Sequence, residues 1–325
     1  MNVPFHGVDQ FTLEAVSAYE EKLEESNISG TPIRALLICN PHNPLGQCYP
    51  PEVLEAYMKL CAKHRLHLIV DEVYALSCYK EPSNAVILNQ PNQSKIETKT
   101  ESSSSSDITH TPFHSVLRFP PNSHIPKSYL HILYGLSKDF ASSGLRLGCI
   151  HSYSAPLLRS ISTLTFFSWP SSLSTSLATA MLSNRDWKSQ YLALSQRRLA
   201  ECAVFARTRL DKMGIPHNGA SASAGFFLWV DLRTWVGERG WEGERRLTES
   251  MMRERVFLTP GQSLSAEEPG YFRFCFVMEE QEISEGLKRL WRALEAVSNV
   301  DQAAEMEVVI ENRDVSEFTD GILLS

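Results

Sequence analysis

Leu66-His67-Leu68-Ile69-Val70-Asp71-Glu72-Val73-Tyr74 is a short apolar run ending in polar residues, the pattern of a buried strand with chemistry at its carboxyl end. Upstream, Pro50-Pro51 sets up a helix whose Leu54, Tyr57, Met58 and Cys61 fall on one face. Before that helix stands a second apolar run, Ile33 to Cys39, and then the loop Asn40-Pro41-His42-Asn43-Pro44-Leu45-Gly46. Strand, crossover helix, strand is the signature of a parallel sheet, and such sheets bind ligands beyond the carboxyl ends of their strands. The polar residues after each run therefore stand where a site belongs.

Downstream, six prolines and the Ser102–Ser106 run break all periodicity, which predicts a low-complexity surface insertion over residues 81–127. His131-Ile132-Leu133-Tyr134 reads as a third strand, followed by Gly135-Leu136-Ser137-Lys138. Helical patterns fill Ala155 to Asn184, with a break at Pro170, and Asp186 to Met213. Strand-like runs follow at Gly225–Leu232, Val256–Thr259 and Tyr271–Val277. A last amphipathic helix carries Ile283, Leu287, Leu290, Leu294 and Val297. The expectation is an α/β protein with a large domain over residues 1–185, built on a mostly parallel sheet. A smaller α+β domain takes residues 186–299, and an acidic tail residues 300–325.

Composition removes several function classes. The chain has 325 residues, enough for about two domains, and at 43% apolar it is too hydrophobic to be disordered. No apolar run approaches the ~20 residues that span a bilayer, so no membrane partner is expected. Residues 301–325 hold seven acids against Arg313 and thus carry nearly all of the net charge of −7. The near-neutral body has no basic stripe, which argues against nucleic acid. Seven scattered cysteines without a CxxC predict reduced thiols and a cytoplasmic protein. His64 with His67 and His110 with His114 lack further ligands nearby, so no metal is expected.

Asn43, Asp71, Tyr74 and Lys138 each have an ordinary structural explanation, as turn residue, helix cap or solvated side chain. Their surroundings point elsewhere. Asn43-Pro44-Leu45-Gly46, Asp71-Glu72-Val73-Tyr74 and Ser137-Lys138-Asp139-Phe140 with Gly144-Leu145-Arg146-Leu147-Gly148 resemble the class I/II aminotransferases, pyridoxal-phosphate enzymes of fold type I. Ala224–Leu232, Leu258-Thr259-Pro260-Gly261 and Glu268–Phe276 resemble the 1-aminocyclopropane-1-carboxylate synthase-like branch. The resemblance covers residues 1–298 apart from the insertion.

It implies pyridoxal 5'-phosphate as cofactor and a role for each residue. Lys138 anchors the cofactor aldehyde and shuttles the substrate α-proton. Asp71 keeps the pyridine nitrogen protonated, so that the ring can act as an electron sink. Tyr74 and Asn43 donate to the ring's phenolic oxygen, while Arg146 and Ser137 hold the phosphate. Arg273, with Asn43 beside it, binds the substrate α-carboxylate. The resemblance also implies a cis peptide at Asn43-Pro44 and a homodimer.

Two departures stand out. Gly135 occupies a position where the family commonly has a phosphate-binding serine, and the resemblance implies a family front segment that is expected to be missing ahead of Met1. The implied function is an aminotransferase or 1-aminocyclopropane-1-carboxylate synthase-like enzyme acting on an amino acid in specialised metabolism. A carbon–sulfur or cyclopropane-forming lyase uses the same apparatus, and a catalytically impaired homologue serving as a binding partner is the remaining alternative.

Overall fold

Pro51 at the first position of a helix supplies the fixed φ that a helix start needs, and the helix α2 (Pro51–His64) begins there. Glu52 sits in its first turn and Lys63 and His64 in its last, matching the helix dipole. Its buried stripe contains Leu54, Tyr57, Met58 and Cys61, the face expected from the sequence. The chain is seen in a computed structural model that describes residues 1–80 and 110–298. Residues 81–109 of the expected insertion and the acidic tail lie outside the described residues.

The chain divides into two compact units, Met1–Val204 with Asn218–Leu228, and Phe205–His217 with the residues from Trp229 onward. The first unit holds a four-stranded sheet in the order β1 (Ala35–Cys39), β2 (His67–Asp71), β3 (Leu130–Gly135) and β4 (Gly148–Ser152). β1, β2 and β3 run parallel, and β4 pairs antiparallel to β3. One face packs Ile38, Leu68, Val70, Leu130 and Ile132 against α2. The other face carries the row Cys39, Asp71, Leu133, Ile150, set side by side by the strand register. Asp71 is the last residue of β2, so it stands at the carboxyl edge.

Three helices accompany the sheet: α1 (Ala15–Ile28), α3 (Ala155–Thr165) and α4 (Ser172–Ser183). The break between the last two brackets Pro170. The long α5 (Arg185–Lys212) follows.

Residues 110–127 correct one expectation. They do not belong to an unpacked insertion: Val116 and Ile125 are fully buried in the core of this unit. The buried Glu72 carboxylate accepts hydrogen bonds from Ser115 Oγ (2.8 Å) and Val116 N (3.0 Å), fixing the segment. The prolines there break helical periodicity without preventing burial.

β5 (Phe227–Asp231), β7 (Tyr271–Cys275) and β6 (Thr259–Pro260) form a three-stranded sheet in that spatial order, with β6, β7 and β5 from Trp229 onward in the second unit. The strand expected at Val256–Thr259 reduces to two residues. The short α6 (Arg233–Val236), α7 (Gly240–Arg253) and α8 (residues 280–298) complete the unit, with Leu247, Met251, Phe272, Phe276, Leu290 and Leu294 in its core. The buried Glu244 carboxylate accepts from Gln262 N (2.9 Å) and Gly270 N (2.7 Å).

Candidate active site

A pocket of about 250 Å³ opens at the carboxyl ends of β2 and β3, lined by Asp71, Val73, Leu133, Tyr134, Gly135, Ser137, Arg146, Leu147 and Gly148. Each lining residue is placed by backbone. Asp71 Oδ1 accepts a hydrogen bond from Val73 N (3.1 Å), which turns the chain off the strand end. Ser137 lies in the turn leaving β3, and Arg146 adopts a left-handed conformation (φ +53°) just before β4. Arg146 Nη1 donates to Ser143 O (3.0 Å), and the side chain is exposed.

Electrostatics join the remaining residues to this pocket. Burial raises the Asp71 carboxyl above its usual range, while the Val73 N–H and the Lys138 ammonium pull it back. Lys138 Nζ lies 5.7 Å from the centre of the Tyr74 ring. Tyr74 is buried, with Phe226 and Phe227 edge-on at 5.4 and 5.5 Å. On the other side of Asp71, burial pushes the Cys39 thiol up to about 12; the Asp71 charge adds to this and the Asn43 N–H opposes it. Cys39 is paired with Asp71 across β1 and β2, and Lys138 lies over the Tyr74 ring. The Asn43-Pro44 peptide is cis, as expected, and so is Asn40-Pro41.

Six of the seven expected site residues belong to the first unit. The pocket lining includes Asp71, Ser137 and Arg146 and does not include Asn43, Tyr74 or Lys138. Arg273 stands on β7 of the second unit, where its Nη2 donates to Thr259 Oγ1 (3.2 Å).

Two residues escaped the sequence reading. Cys39 sits beside Asp71 in the strand register, a pairing between two strands that the pattern within either strand does not contain. Asp139 is buried and accepts from Leu76 N (3.0 Å), Ser77 Oγ (2.5 Å) and Tyr134 OH (3.0 Å). It ties the turn bearing Lys138 to the segment after Tyr74, and nothing local in the sequence separates it from a solvated acid. Gly135 also finds a reason: a Cβ there would lie 3.1 Å from Leu147 O, so a serine would force the two backbones apart.

The donor set suits a phosphorylated pyridine aldehyde. An amine and a carboxylate lie within electrostatic reach of one another, and a guanidinium and a hydroxyl share the pocket with that carboxylate. Among the described residues no cluster of three or more metal-ligating side chains occurs, and no helix is long and apolar enough to cross a membrane.

A family model described as aminotransferase class I and II matches residues 2–290. A 1-aminocyclopropane-1-carboxylate synthase from Cucurbita maxima, CMW33, is 30% identical over 306 residues, covering 94% of this chain and 55% of that protein. The 1-aminocyclopropane-1-carboxylate synthase-like protein 1 of Homo sapiens is 30% identical over 292 residues, 90% of this chain and 51% of its own length. The chain thus spans about half the length of these curated relatives. Among solved structures, an aromatic aminotransferase from Pyrococcus horikoshii OT3 superposes with a TM-score of 0.68 at 20% identity, over 91% of this chain and 67% of that one.

Proposed function

Because the chain belongs to the class I and II aminotransferase family and has the fold of type I pyridoxal-phosphate enzymes, we propose that it binds pyridoxal 5'-phosphate at the β2–β3 pocket and acts on an amino acid. The observation that carries this reading is the pocket at the carboxyl ends of β2 and β3, which brings the Asp71 carboxylate, the Ser137 hydroxyl and the Arg146 guanidinium together.

When bound, the cofactor's pyridine ring supplies an electron sink for charge developing at the substrate α-carbon. Asp71 would hold a proton on the ring nitrogen, and Lys138 Nζ would hold the aldehyde and move the substrate α-proton. Tyr74 and Asn43 would donate to the phenolic oxygen. Arg146 and Ser137 would hold the phosphate, a guanidinium being the natural fork for its oxygens. Arg273 is the guanidinium assigned to a substrate α-carboxylate. Aminotransfer is the leading reaction, and the likeness to 1-aminocyclopropane-1-carboxylate synthases keeps lyase chemistry beside it.

Adding pyridoxal phosphate to the purified chain is expected to produce a visible absorbance band that Lys138→Ala abolishes. An identical band in that variant would remove the lysine from its role. Incubation with amino acids plus a keto acid, and separately with cysteine conjugates, then distinguishes the reactions: a new amino acid marks transfer, pyruvate with free thiol marks elimination. The exposure of Arg146 and Gly148 at the pocket favours a second reading, an impaired homologue that acts as a binding partner. Cofactor binding at micromolar or tighter affinity counts against it.

A further inference from the structure

Cys48 and Cys78 stand with their Sγ atoms 3.8 Å apart, 30 residues distant in sequence. Cys48 is buried and Cys78 half-buried. Cys48 follows the loop that bears Asn43, and Cys78 follows the turn that bears Tyr74. Residues 223–225 lace the two segments together: Ser223 N and Ala224 N donate to Gly46 O (2.8 and 2.9 Å), Tyr79 N donates to Ser223 O (2.9 Å) and Gly225 N to Ser77 O (3.0 Å). Cys78 also pairs as an isolated β-bridge with Ala224. Both segments are therefore held to a common third one, with the two sulfurs 3.8 Å apart against the ~2.05 Å of a disulfide bond.

We propose that Cys48 and Cys78 form a reversible disulfide that locks the Asn43 loop to the Tyr74 turn. Cys78 is the more accessible of the two sulfurs, so it meets an oxidant from solvent first. With hydrogen peroxide as oxidant, the Cys78 thiolate attacks one peroxide oxygen, the O–O bond breaks, and one water leaves once protonated. Cys48 Sγ then attacks the Cys78 sulfenic sulfur, the S–O bond breaks, and a second water departs with the Cys48 proton. Two electrons pass from the pair of sulfurs to the peroxide. A dithiol reductant reverses the bond by thiol–disulfide exchange.

The proposal stands apart from the reading of the reaction, and so does its test. Purified protein is treated with hydrogen peroxide, alkylated, digested without reductant and mapped by mass spectrometry. The expected result is a peptide pair joined through Cys48 and Cys78, about 2 Da lighter than the two thiol peptides together and absent after dithiothreitol. The oxidised protein should melt about 5 °C higher than the reduced one, a shift that neither Cys48→Ser nor Cys78→Ser reproduces. Recovery of both residues as alkylated thiols, while the exposed Cys149 and Cys275 are oxidised, overturns the proposal without recourse to any variant.

Discussion

Asp139 follows the candidate lysine directly and spends its carboxylate on three donors, Leu76 N, Ser77 Oγ and Tyr134 OH. Removing the acceptor leaves those groups unpaired in a buried place, each costing ~1–3 kcal/mol before relaxation. Asp139→Ala should therefore lower stability by about 2–4 kcal/mol in urea denaturation. It should also weaken pyridoxal phosphate binding, because the Lys138 turn loses its brace. Burial raises the folded carboxyl above its ordinary 3.8, even against those hydrogen bonds. The folded state then holds this proton more tightly than the unfolded chain does. Its contribution is fully present below pH ~4 and is lost as pH rises through the raised folded value. The stability of the wild type relative to the non-titrating Asp139→Asn should accordingly fall as pH rises from 4. A relative gain over that range would contradict the assignment.

Among the elements, the loop between β1 and α2 is held by close backbone approach. Gly46 adopts φ +63°, and a Cβ there would meet Ala224 O at 2.8 Å. Gly46 O also accepts from Ser223 N and Ala224 N, so the loop cannot retreat without losing two hydrogen bonds. Gly46→Ala should cost about 1–3 kcal/mol, checked by thermal or denaturant unfolding. Neutral behaviour would mean that the loop is not seated on residues 223–224. The α2 stripe, the break at Pro170 and the three parallel strands β1, β2 and β3 were legible because period and punctuation are local signals. β4 was not: Gly148–Ser152 has no alternating pattern and owes its pairing to β3 across the turn that carries Lys138 and Arg146. α1 and α7 were likewise missed, and α1 buries only Ala15, Leu23 and Ser26, too few to make an apolar stripe.

At the scale of the whole molecule, apolar surface is unevenly placed. Leu164, Phe166, Phe167, Trp169 and Leu173 are 73–89% exposed along the end of α3 and the start of α4. On the sheet face that carries Asp71, Leu37 is 60% and Ile150 42% exposed. Sheets with parallel strands ordinarily have both faces covered, and clustered exposed aromatics mark a surface that binds apolar material. The native chain should bind an apolar fluorescent dye. The double variant Phe167→Ser, Trp169→Ser should reduce that signal while shifting the unfolding free energy by no more than about 0.5 kcal/mol. Unchanged dye fluorescence would place the apolar surface elsewhere.

By itself the amino-acid sequence determined the strand–helix–strand frame and the family, because these rest on local periodicity and on motifs a few residues long. It also led to Asn43-Pro44 as a cis peptide, which the structure contains. Only the tertiary structure decided that Cys39 lies beside Asp71, that Asp139 braces the lysine turn, and that Gly135 and Gly46 are demanded by backbones approaching from distant segments. It also decided that Val116 and Ile125 belong to the core and that Cys48 faces Cys78. Such contacts join residues tens to hundreds of positions apart, and the burial that creates them comes from packing, which no local window of sequence contains.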